Sequence, residues 1–271
     1  MQRVGEHSIP SGPLAPRWTA WSLVPPRAGA LGSARVALEN AGTATWRSRG
    51  RDGVQLAYHW LDALGNPVVW DGIRTALPGP VAPGSTLELE LPVLAPRPPG
   101  AYRLDFDLVE EHRFWFAEVG CTPLDVPVEV APRIGERRLR VLVHGGDDEA
   151  TRAALAGQEE ALVEGGEEAI AHLVAGCQPA PDWSRRMLDA HAEGWEAVGP
   201  ALETGERGRL AAWAPGRGRN PRFGRPLLLP SLLAGLEPAE HEGLPSYAGS
   251  EGLFEGRAVV RLPRRSGRRP T

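Results

Sequence analysis

The sequence predicts an all-β antiparallel sandwich over residues 18–132, followed by a smaller α+β domain over residues 137–262. Two observations carry that reading. Short apolar-alternating runs broken by Gly, Pro, Asn and Asp fill the first half, and from about residue 137 they give way to one continuous β run and two stretches with helical spacing. A length of 271 residues with 42% hydrophobic content is enough to bury two modest cores.

In order, residues 1–17 read as a flexible segment. Seven strands follow: ARVALEN (34–40), VQLAYHWLD (54–62), VVWDGIRTAL (68–77), STLELELPVL (85–94), AYRLDFDLVEE (101–111), RFWFAEV (113–119) and LDVPVEV (124–130). Turn residues separate them at Asn40-Ala-Gly42, Leu64-Gly-Asn-Pro67, Ala82-Pro-Gly84 and Pro98-Pro-Gly100. Alternation sorts the faces. Val54, Leu56, Tyr58 and Trp60 share one side of their strand, as do Leu87, Leu89, Leu91 and Val93, and Tyr102, Leu104, Phe106 and Leu108. These form the expected interior, with Tyr58, Trp60, Tyr102 and Phe106 as one aromatic cluster. His59, Glu88, Glu90, Arg103, Asp105 and Asp107 fall on the opposite, solvated side.

In the second half, the run RLRVLVHGG ends at Gly146. Asp147 or Asp148 then caps a helix expected to reach Gly165. A second helix spans APDWSRRMLDAHAEGW (180–195), with Trp183, Met187, Leu188 and His191 at three- and four-residue spacing and Gly194 as its stop. A Gly- and Pro-rich stretch (214–226), an apolar run (227–236) and a strand at 256–262 complete the domain. The basic tail 263–271 is expected to be disordered.

All thirty basic residues are arginine, and they are spread evenly: 12 against 14 acids in residues 1–135, and 18 against 20 in residues 136–271. No global field favours nucleic acid. The N-terminus lacks the apolar core of a secretory signal, and no run approaches the roughly 20 apolar residues of a membrane span. The expectation is a cytoplasmic protein whose Arg-rich tail makes at most weak contact with anionic surfaces. Cys121 and Cys177 lie in different domains and read as free thiols.

The candidate ligand-binding residues are His59, Asp62, Trp70, Asp71 and Arg74. Trp70 is the exposed indole on which a sugar ring would stack, and the charged residues are its rim. The competing reading is an Arg74–carboxylate pair that pins a hairpin. Asp105, Asp107, Glu110, Glu111 and Glu118 would hold Ca²⁺ only with help from loop carbonyls, and read better as a solvated face. No metal site, cofactor or nucleophile elbow is expected, and no catalytic residue is assigned.

The strings VALENAGTATW, LAYHWLD, VVWDGIRTALP, PPGAYRLDFDLVEE and WFAEVG resemble, over residues 30–131, an immunoglobulin-like accessory module attached to bacterial glycan-assembly proteins. That resemblance implies no catalytic residues. HLVAGCQPAPDWSRRMLDAHAEGWEAVGPAL (172–202) resembles the centre of family 2 glycosyltransferases through Pro179, Pro181, Asp182, Trp183 and Val198-Gly199. The family's metal-binding Asp-x-Asp falls here on Val174 and Gly176, so this resemblance implies a reduced, degenerate glycosyltransferase-A-like unit. The function expected is a non-catalytic accessory or scaffold in polysaccharide or glycoconjugate assembly, its partner a glycan or a glycan-assembly protein. The alternative is an active glycosyltransferase that uses Asp147 and Asp148 with a sugar nucleotide and a divalent cation.

Overall fold

The computed structural model describes residues 1–3, 12–49, 53–198, 201–204 and 259–262. It divides into two compact units, Met1–Pro132 and Arg133–Thr271. The first contains β1 (Gln2–Arg3), β2 (Pro16–Leu23), β3 (Leu31–Asn40), β4 (Val54–Leu61), β5 (Pro67–Val69), β6 (Thr75–Ala76), β7 (Thr86–Leu94), β8 (Gly100–Glu110), β9 (Phe114–Trp115) and β10 (Leu124–Val130). One sheet has the order β1-β2-β3-β7. The other runs β10-β8-β4-β5, with β6 also on β4 and β9 on β8. Every pairing is antiparallel.

This is an immunoglobulin-like sandwich, and local chemistry marks it as one. Tyr102, at the start of β8, donates its hydroxyl to the Pro98 carbonyl at 2.7 Å, the tyrosine-corner arrangement. Trp60 and Tyr58 of β4 fill the interior with Leu56, Leu91, Leu104, Phe106 and Leu108. Tyr102 packs against that cluster, edge-on to Trp60 at 6.1 Å. The polar ends of the core aromatics bond backbone elsewhere in the unit. Trp60 Nε1 donates to Leu94 O and Leu94 N–H donates to the Tyr58 hydroxyl, both at 2.9 Å. Trp46 Nε1 reaches Leu14 O and Trp18 Nε1 reaches Thr122 O. Large apolar rings are thereby buried without orphaning their N–H or O–H groups.

Several elements differ from the sequence reading. Pro16–Leu23 is a strand, with a register shift between Trp18 and Ala20 that interrupts the alternation. Within the segment read as flexible, Gln2 and Arg3 pair with Trp21 and Ala20, and Ala15 is buried. Residues 68–77 are not one strand, because the chain leaves β5 at Val69 and returns at Thr75. Residues 113–119 give two strand residues and then a 3-10 turn, Phe116–Val119, closed by Gly120 at φ 90°. The supposedly solvated face is covered at β4 and at Asp107 of β8, while Arg103 and Asp105 stay partly exposed: all eight residues of β4 are buried, His59 is 3% exposed and Asp107 1%.

The second unit contains β11 (Leu139–His144), α1 (Glu149–Ala156), β12 (Ala169–Val174), β13 (Gln178–Pro179), α2 (Trp183–Ala192), β14 (Ala201–Thr204) and β15 (Val259–Leu262). β11 and β12 pair in parallel, while β15 lies between β13 and β14. Asp148 caps α1 by accepting the Thr151 N–H at 2.8 Å. The helix ends at Ala156 rather than at Gly165, because Leu162 and Val163 run beside β11, where Val163 N–H donates to Leu139 O. α2 buries Trp183, Met187 and Leu188 against Leu139, Leu173 and Cys177. The runs at 214–226 and 227–236 and the tail 263–271 lie outside the described residues. Among the described residues no helix is long and apolar enough to cross a membrane.

Trp60→Ala removes a fully buried indole and its bond to Leu94, and is expected to cost about 3–5 kcal/mol in denaturant unfolding. Tyr58→Phe removes only the hydroxyl partner of Leu94 and is expected to cost about 1–2 kcal/mol. Near-neutral values for both would show that the Leu94 clamp does not hold the sheets.

Candidate functional site

Beyond Val69 the chain folds back over β4. Gly72 N–H donates to Tyr58 O at 2.9 Å, and a Cβ at position 72 would lie 2.4 Å from that oxygen and 2.6 Å from the Tyr58 ring. Glycine is required here for close approach. The fold-back places Trp70 over His59, ring centroids 4.1 Å apart and 22° from parallel, with the Trp70 side chain 48% exposed as a residue. Trp115 meets both rings edge-on, at 4.3 Å from His59 and 6.2 Å from Trp70. The Arg74 guanidinium lies 5.1 Å from the Trp115 ring centre. It donates through Nε to both Glu111 oxygens at 3.1 and 3.2 Å, through Nη1 to Gly72 O, and through Nη2 to Asp71 at 3.1 Å.

The structure thus brings together His59, Trp70, Asp71 and Arg74. It commits Asp62 elsewhere: that carboxylate accepts the Leu64 and Asn66 backbone N–H groups and the Asn66 amide within its own turn. Those bonds hold its pKa down, the Asn66 side chain most of all. Sequence reasoning missed Trp115 and Glu111 as parts of the assembly. The signal available was the outward set of β8, Arg103, Asp105, Asp107 and Val109, in which a valine among charges marks a covered face.

The acids at this face are not one solvated cluster. Glu110 pairs with Arg113, Glu111 with Arg74, and Glu118 accepts the Trp115 N–H. Asp107 is buried and accepts Leu108 N–H at 2.8 Å and Ala117 N–H at 3.1 Å, fixing the turn that carries Trp115. Burial, opposed by those two bonds and aided by Asp105 and Glu118, pushes its carboxyl up to about 7. Burial and the neighbouring Asp125 raise Asp105 to about 6. His59 is lowered by burial, against the Trp70 carbonyl that its Nδ1 contacts. Among the described residues no group of three or more His, Cys, Asp or Glu is arranged to hold a metal ion.

In the second unit Asp147 pairs with Arg152 at 2.9 Å, and Asp148 is the α1 cap. His144 Nε2 and His172 Nδ1 lie 2.9 Å apart with ring planes 18° from parallel. Val174 closes β12. Gly176, at φ 91°, donates its N–H to Thr151 Oγ1 at 2.8 Å, which makes this position a turn. Cys121 is half-buried and Cys177 buried, both as thiols.

No family model matches the chain, and no curated protein matches it. Among solved structures it is similar to the C-terminal domain of Wzt, at 9% identity over 44% of this chain and 75% of that one, with a TM-score of 0.29. It is also similar to the CARDB domain of a Pyrococcus furiosus protein, at 16% identity over 43% and 96%, TM-score 0.27. A third similarity is to β-glucosidase from Listeria innocua, at 13% identity over 42% of this chain and 16% of that enzyme, TM-score 0.27.

A carboxyl whose folded pKa lies above its unfolded value contributes stability that is complete below the unfolded pKa and is lost as pH rises to the folded one. Asp107, near 3.8 when unfolded and about 7 here, therefore makes the sandwich lose roughly 2–4 kcal/mol between pH 4 and pH 7. Asp107→Asn is expected to flatten that decline in urea titrations across this range. An unchanged slope would show that Asp107 does not titrate there.

Proposed function

We propose that the first unit is a non-catalytic, carbohydrate-associated module, acting as an accessory or scaffold in polysaccharide or glycoconjugate assembly. One observation carries the reading: Trp70 offers solvent a half-exposed indole whose inner face is backed by the buried His59 ring. An aromatic ring fixed from behind, with polar groups at its edge, suits the apolar face of a pyranose. Asp71, 67% exposed, supplies an acceptor at the rim, while Arg74 is largely committed to Glu111, Gly72 and Asp71. Val68 and Ile73 of the same segment are exposed as well.

The second unit we read as a reduced relative of family 2 glycosyltransferases without a working donor site, in a chain that acts in the cytoplasm. Valine and the turn-forming Gly176 stand where carboxylates would hold a cation against a sugar-nucleotide diphosphate. Asp147 and Asp148 would serve such a donor only by releasing Arg152 and the first turn of α1.

A glycan array followed by chemical-shift mapping tests the platform. The expected result is millimolar to micromolar binding centred on Trp70, reflecting about 1–2 kcal/mol from one stacked indole, and lost in Trp70→Ala. Shifts confined to other residues, or unchanged binding by Trp70→Ala, would contradict it. Calorimetry with UDP- and GDP-sugars plus Mn²⁺ is expected to show no metal-dependent heat, whereas micromolar metal-dependent binding would return the enzyme reading.

A further inference from the structure

A row of three side chains crosses the outer face of the second sheet beside the Trp70 platform. Asp125 of β10 stands opposite Asp105 of β8, and Asp105 stands opposite His59 of β4. Residues directly opposite on neighbouring antiparallel strands project to the same face, with Cβ atoms about 5 Å apart. The row descends from solvent: the Asp125 side chain is 42% exposed, Asp105 half-buried and His59 3% exposed, with Trp70 closing the inner end.

The hydrogen positions in the row follow from its partners. The Trp70 carbonyl can only accept, so His59 Nδ1 carries the hydrogen that it shares with that oxygen. The neutral ring then bears a bare lone pair at Nε2. That nitrogen is buried and has no hydrogen-bond partner among the described residues. Asp105 Oδ1 is buried and unpartnered in the same way. Arg103 is committed to Asp125 through both carboxylate oxygens, and Asp107 to two backbone N–H groups. His59 Nε2 and Asp105 Oδ1, on residues opposite one another on β4 and β8, are thus two buried acceptors to which no described residue donates, and such groups are costly in an interior.

We propose that this row binds a primary ammonium group, carried by a 2-amino-2-deoxy sugar. An ammonium brings three N–H donors and a positive charge to Nε2, Asp105 Oδ1 and the Asp105–Asp125 carboxyl pair. A hydroxyl brings a single hydrogen and no charge. The amine subsite deepens the glycan reading and rests on it only for the sugar that carries the amine.

The test uses the full chain, glucosamine hexamer, N-acetylglucosamine hexamer and methylammonium chloride. Calorimetry is expected to show the glucosamine hexamer binding roughly tenfold or more tightly than its N-acetylated counterpart. Asp105→Asn and Asp125→Asn are each expected to erase that preference, with N-acetylated hexamer binding retained. Trp70→Ala is expected to weaken both hexamers together. Methylammonium is expected to shift the His59 ring and Asp105 carboxyl resonances of the wild type. If it does so while neither hexamer binds, the amine subsite stands and the glycan platform falls. Resonances unmoved by methylammonium, a preference surviving in both variants, or stoichiometric Zn²⁺ binding abolished by both variants would overturn the ammonium assignment.

Discussion

Tyr58 is the side chain on which the first unit turns. Its hydroxyl accepts the Leu94 N–H of the opposite sheet, its ring fills the interior, and its carbonyl accepts the Gly72 N–H of the segment folded over the outer face. Trp60, two residues on, completes the hold by donating to the Leu94 carbonyl. One residue of β7 is thus fixed at both backbone polar atoms by aromatic side chains of β4. Burial raises the Tyr58 pKa and keeps the phenol neutral, against the Leu94 N–H that its oxygen accepts. Core packing and outer-face architecture are tied to a single residue, so a disturbance on one face is felt on the other.

The outer face follows from the same constraint. With β4 covered on both sides, His59, Gln55 and Asp107 lie where a two-layer sandwich ordinarily meets water. Their polar atoms must be met by neighbours. Asp107 takes two N–H groups and so positions Trp115, Arg74 lies over Trp115 and grips Glu111, and Trp70 closes over His59. What emerges is a small aromatic and ionic layer outside the second sheet, with its one half-exposed indole held from beneath.

Much of the sandwich was legible because burial on one side imposes a period of two. The inward sets of β4, β7 and β8 were read correctly from that period alone. The same rule misplaced His59 and Asp107, since their cover comes from residues 67–76 and 114–119, and the local trace of it in β8 is Val109 among the outward charges. Pro16–Leu23 escaped because the irregularity between Trp18 and Ala20 breaks the alternation. The first helix was drawn too long because Leu162 and Val163 keep helical spacing, although pairing with Leu139 draws them into extended structure. Trp70 was expected to be exposed beside Gly72, and it is. The cause is the close approach of Gly72 to Tyr58, which is a tertiary fact.

Glycine at position 72 lets the chain close over Tyr58 and set Trp70 on His59. The most direct measurement is the structure of Gly72→Ala in solution, read from contacts between the Trp70 indole and the His59 ring together with the amide exchange of β4. The account predicts that the added methyl, which has no room between the Tyr58 carbonyl and ring, lifts residues 70–74, abolishes the Trp70–His59 contacts and speeds exchange along β4 while the two sheets remain paired. An alanine variant that keeps those contacts and the wild-type exchange pattern would contradict it.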